Sequence, residues 1–131
     1  MRQIAFSFVA ITLCSLHGLS ADEPVTATGS ETVTIAKIMQ RAHKKPKEGG
    51  SMLLKKVAIG RATTQEKKAL LKDYQALAKL KPAKGDLAGW QAKTKLLLDA
   101  ANAALKGNQG ADKQLQRAAN CTACHNEHKG V

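Results

Sequence analysis

Five residues close to the C-terminus, Cys121-Thr122-Ala123-Cys124-His125, constrain this chain more than any other feature. Residues three and four apart in a helix share a face, so on a helical segment the two thiols and the imidazole project from one side of a single turn. That arrangement suits a flat group with two attachment points along one edge and a metal at its centre. In an exported chain the C-x-x-C-H spacing is read as a covalent c-type haem attachment site. Cys121 and Cys124 would add to the two haem vinyl groups, and His125 would reach the iron as the proximal axial ligand. The expected cofactor is one covalently attached haem c with its iron.

Three other uses of these residues stay open. A thioredoxin-like redox pair needs strands and helices in alternation around it, and no strand-like run is visible after residue 21. A zinc site could draw on Cys121, Cys124, His125 and His128. Adjacent ligands at 124 and 125 close a tetrahedron poorly, however, and structural zinc sites usually take two separated pairs. A disulfide between the cysteines, or an incidental triplet, is the third.

The N-terminus supports export independently. Met1-Arg2-Gln3 is a short basic start, Ile4 to Leu19 is mostly apolar, and the small Ala21 precedes Asp22-Glu23-Pro24. Residues 1–21 read as a secretory signal peptide cleaved after Ala21. The apolar stretch is short and interrupted by Ser7, Thr12, Ser15 and His17, so no stable membrane anchor is expected. The bulky Leu13 ahead of Cys14 speaks against lipid attachment there. Cleavage would remove Cys14 and His17, leaving two cysteines, the number one haem consumes, and His43, His125 and His128. The expected location is periplasmic or otherwise exported. Residues 22–30 read as a polar, flexible leader, and 31–131 as one domain, since roughly 110 residues suit a single core.

Charge and aromatic content bound the partners. Lys and Arg total 21 against 10 Asp and Glu, a net charge of +11, of which the signal removes only Arg2. The lysines, among them 44, 45, 47, 55, 56, 67, 68, 79, 81 and 84, fall mostly on polar faces and loops. Their summed field would steer acidic redox partner proteins and speed encounter at low salt. Nucleic acid is not expected as a partner, because the aromatic platforms on which bases stack are missing. After residue 21 the aromatic residues are Tyr74 and Trp90 alone. The core must therefore be aliphatic, and a buried haem would supply the missing bulk.

Apolar periodicity is helical throughout. Ile35, Ile38, Met39 and Ala42 mark a helix over 32–44 that Pro46 and Gly49-Gly50 interrupt. Met52 to Ile59 reads as its resumption, stopped by Gly60. Thr63-x-x-Glu66 is a capping-box start for a stripe of Leu70, Tyr74, Leu77 and Leu80 that runs to Pro82. Asp86 can cap a helix carrying Trp90, Leu97, Ala101 and Leu105, which Gly107 ends. A last helix over 111–127 carries Leu115, Ala118 and Ala119 into the attachment motif. The expected fold is all-α, an antiparallel four-helix bundle. Trp90 is expected in the core, and His128, close to the C-terminus, at the surface.

An export signal, a helical domain of this length and C-x-x-C-H in the final helix, with Lys129 following, together resemble the class II c-type cytochromes, the cytochrome c′ family. Class I cytochromes place a methionine ligand far downstream of the motif, whereas Asn126 to Val131 alone follow His125 here. Any sixth iron ligand must therefore lie upstream. The chain departs from the family at His128, where an aromatic residue is usual, and at Ile35, where an arginine often stands four residues before the distal position. Family members with a six-coordinate iron use a methionine of the first helix, which implies Met39 as distal ligand. His43, one turn later, is the rival, and Met52 is read as core. The resemblance implies a soluble monohaem electron carrier rather than an enzyme, and a homodimer is compatible with it. The alternative is a five-coordinate haem that binds nitric oxide or carbon monoxide as a sensor or scavenger. A zinc- or thiol-based interaction module would require that no haem is attached.

Overall fold

Capping chemistry sets the two longest helices. The structure, a computed structural model, describes residues 32–130, and the predicted signal peptide and leader lie outside the described residues. Helix α3 (Thr64–Lys79) starts where the Thr63 hydroxyl accepts from Glu66 N–H at 3.2 Å while Glu66 Oε2 accepts from Thr63 N–H at 2.8 Å. The predicted capping box thus satisfies two otherwise orphaned backbone donors. Helix α4 (Leu87–Lys106) starts at Asp86, whose side chain accepts from Gly89 N–H at 2.7 Å. It ends at Gly107, whose φ of +73° lets Asn108 N–H bond back to Ala103 O and Gly107 N–H to Ala104 O.

The remaining elements are shorter. Helix α1 (Ile35–Ile38) is capped by Thr34 and runs on as a π-helical turn, Met39–His43. After the Pro46 to Gly50 loop comes α2 (Leu53–Ala58), then α3 and α4, then α5 (Ala111–Ala118) and α6 (Cys121–His128). Every regular element among the described residues is helical, as the all-α expectation requires. None of these helices is long and apolar enough to cross a membrane.

The last segment differs from the sequence expectation. The helix foreseen over 111–127 is two helices, broken at Ala119-Asn120. Asn120 leaves helical geometry and its Oδ1 accepts from Ala123 N–H at 3.1 Å, so it serves as N-cap to the motif helix. Asparagine is indifferent inside a helix but favoured at this position, and the cap wins.

The core lies between α3 and α4 and is closed by the other elements. Leu70, Tyr74 and Leu77 of α3 meet Trp90, Leu97 and Ala101 of α4, with Ile38, Val57 and Leu115 contributed by α1, α2 and α5. Each large aliphatic side chain so buried contributes about 1.5–3 kcal/mol. Two polar ties fix the register of the first helix and α2 against α3. Arg41 donates from Nη2 to Asp73 Oδ1 at 2.6 Å, and Lys56 from Nζ to Glu66 Oε1 at 2.7 Å. Trp90 Nε1–H donates to Leu80 O at 2.7 Å, which holds the turn between α3 and α4 against the helix that follows it.

Candidate cofactor site

The motif helix delivers its three groups as the spacing requires. With α6 helical from Cys121, the thiols of Cys121 and Cys124 and the ring of His125 fall within one turn and a residue. Both cysteines are free thiols, Cys121 exposed and Cys124 half-buried. Burial, opposed by the nearby Lys93, raises the Cys124 pKa above its ordinary value, so this sulfur keeps its proton at neutral pH.

Two clefts flank this turn. The first, of about 200 Å³, is lined by Cys121, Cys124 and His125 together with Met39, His43 and Leu97 among others. The second, of about 590 Å³, is lined by Ile35, Met39, Trp90, Cys124, His125 and His128 among others. Three residues border both clefts: Met39, Cys124 and His125. His125 and one of the two sequence-predicted distal candidates, Met39, therefore border the same two clefts. The second cleft by itself lies within the roughly 300–1,000 Å³ of cofactor sites.

His43 borders only the first cleft and is committed elsewhere. Its Nε2 lies 3.2 Å from the Tyr74 hydroxyl, with the two rings 5.7 Å apart. Burial is the main reason its pKa falls below 6.5; the neighbouring His125 adds to this and Asp73 opposes it, so the ring is neutral at pH 7. Burial likewise pushes the Tyr74 phenol far above its ordinary range. Met52 borders neither cleft; half-buried, it precedes α2 as its N-cap.

His128 corrects the expectation of an exposed side chain: it is buried, 3% accessible. Its Nδ1–H donates to Lys84 O at 3.3 Å, and its ring meets Trp90 edge-on with centroids 5.5 Å apart. The turn at Gly85 reaches across to the end of α6, so proximity to the terminus did not bring exposure. His128 Nε2 is buried without a hydrogen-bond partner, the nearest carboxylate oxygen being Glu127 Oε2 at 3.5 Å. A buried nitrogen left so costs about 1–3 kcal/mol.

The donor set fits a haem better than a bare metal ion. Among the described residues, no three His, Cys, Asp or Glu side chains converge as a metal cluster. A zinc site on Cys121, Cys124, His125 and His128 therefore has no support in the geometry. A haem needs less from the chain: two thiols near one edge, one imidazole, and an apolar slot.

Reading the sequence alone missed three features. The burial of His128 follows from a long-range contact, for which Gly85 and the edge of Trp90 are the only sequence signals. The pairing of Tyr74 with His43 joins residues of two elements, whereas the spacing of Tyr74 marks it only as core. The second cleft takes Ala83 of the 80–86 turn into its lining, a contact that periodicity does not describe. Comparison with protein-family models, with curated proteins and with solved structures finds no match to this chain, so the reading of the site rests on its own residues.

Proposed function

We propose that the protein is an exported monohaem c-type cytochrome of the cytochrome c′ kind, a four-helix bundle that carries single electrons. The observation that supports this most is the convergence of Met39, Cys124 and His125 at the junction of the two clefts. Cys121 and Cys124 would hold haem c through thioethers, His125 would be the proximal iron ligand and Met39 the distal one. When bound, the haem iron supplies a one-electron couple.

The chain's residues do the rest. Each cysteine would add S–H across one vinyl group, sulfur to one carbon and hydrogen to the other, so attachment would need no oxidant. His125 offers a neutral imidazole lone pair, and Met39 a thioether that carries no proton to lose. Leu97, Ile35 and Trp90 give the clefts apolar walls, which would lower the local dielectric around a bound haem and the solvent rearrangement that accompanies charge change. The net charge of +11 favours acidic redox partner proteins. The alternative role, nitric oxide or carbon monoxide binding, requires an iron position that Met39 leaves open.

The optical spectrum of protein matured with cytochrome c assembly machinery tests this function. A low-spin ferrous spectrum with slow carbon monoxide binding is expected, because the gas must displace Met39. A high-spin spectrum with fast carbon monoxide binding would replace the electron carrier with the gas-binding protein.

A further inference from the structure

We propose that Tyr74 selects the axial ligand: its hydroxyl occupies the one bare nitrogen of His43 and so leaves Met39 to face His125. This deepens the haem reading above and rests on it.

Met39 and His43 stand at the two ends of one π-helical turn, and both border the first cleft together with His125. Sequence spacing alone leaves either of them able to serve as a ligand. What separates them is the grip of α3 on the far end of the turn. Asp73 and Tyr74 are consecutive on α3, and they bind Arg41 and His43 respectively. This two-point attachment draws His43 toward α3, while Met39 remains at the junction of both clefts.

The direction of the Tyr74–His43 bond follows from burial. Tyr74 is fully inaccessible, and His43 Nε2 is the hydrogen-bond partner of its hydroxyl among the described residues. Were Nε2–H the donor, the phenol O–H would be buried without an acceptor, which is the costlier arrangement. The O–H therefore donates, and Nε2 accepts. A neutral imidazole has one protonated and one bare nitrogen. With the bare one engaged by Tyr74, His43 has no lone pair left for iron. Methionine ligation raises the potential of a c-type haem, so a single hydroxyl on α3 would set it.

The test uses matured, haem-loaded protein in four forms: wild type, Tyr74→Phe, His43→Ala and the Tyr74→Phe/His43→Ala pair. Two signals read the ligand directly: the strongly shifted methyl resonance of an iron-bound methionine in the reduced protein, and the near-infrared charge-transfer band of the oxidised protein. Wild type and His43→Ala are expected to show the methionine signature. Tyr74→Phe, which keeps the ring and its packing, is expected to lose it, gain a bis-imidazole band and fall in reduction potential. The double variant is expected to regain the methionine signature, because the freed imidazole is gone. Retention of the methionine signature in Tyr74→Phe would overturn the proposal, as would failure of the double variant to regain it. Wild-type protein with attached haem but no methionine signature would overturn ligand selection while sparing attachment. Wild-type protein without haem would overturn both.

Discussion

Replacing Gly85 with alanine tests whether the turn after α3 seats the motif helix. Gly85 has a φ of +80°, and a Cβ there would lie 2.6 Å from Glu127 O and 2.6 Å from His128 Nδ1. Gly107 provides the control, with a φ of +73° and nothing within 4 Å of its Cβ position. Both substitutions carry left-handed strain of about 1–2 kcal/mol. At Gly85 the end of α6 must also move, which weakens the His128–Lys84 bond, worth about 1 kcal/mol, and the edge contact with Trp90, worth about 0.5–1.5 kcal/mol. Gly85→Ala should therefore lose about 2 kcal/mol more than Gly107→Ala, a large share of the roughly 5–15 kcal/mol of a typical domain. At about 4–8 °C per kcal/mol for a domain of this size, its melting point should lie about 10 °C or more below the control. Thermal unfolding followed by far-ultraviolet circular dichroism measures this. Equal melting points for the two variants would refute the claim that the 80–86 turn holds the C-terminal helix in place.

Two further outcomes follow from the site and from the capping box. His125→Ala should change the haem spectrum strongly. His128→Ala should preserve the spectrum but lower stability by about 2 kcal/mol, the usual scale for emptying a buried site, as read by denaturant titration. Glu66 is held below its ordinary pKa of 4.5, chiefly by its hydrogen bond from Lys56 and next by the Thr63 N–H. Its contribution to stability is therefore present above pH 4.5 and is lost as the pH falls through the lower folded value. Unfolding midpoints of wild type and Glu66→Gln should differ at pH 6 and converge as the pH is lowered below 4.5; a constant difference across that range would contradict the assignment.

What the sequence made legible was mostly local. Thr63 with Glu66, Asp86 and Gly107 announce the ends of α3 and α4, because caps act within a turn of chain and leave a residue signature. Leu70, Tyr74, Leu77, Trp90 and Leu97 announce the buried faces through their spacing alone. The break at Asn120 was hidden because an asparagine can sit within a helix or cap one, and the apolar stripe on either side runs through it. The π-helical winding of Met39–His43 leaves no residue signature either. His128 was misjudged because its burial depends on Gly85, 43 residues earlier, folding the 80–86 turn against it. Of the site, the Cys121, Cys124 and His125 triplet on one helical turn was readable from spacing, and Met39 as a candidate came from the family resemblance. That Met39 borders both clefts while His43 is tied to Tyr74 required the packing of α3 against the first helix.

The central claim is that Cys121 and Cys124 carry one haem. Intact mass measurement of the matured protein, after acid extraction to strip any loosely bound haem, tests it most directly. The account predicts the mass of the processed chain plus one whole haem, with the increment mapped to the peptide containing Cys121 and Cys124. A mass equal to the chain alone, or two hydrogens lighter from a disulfide between those cysteines, would contradict it.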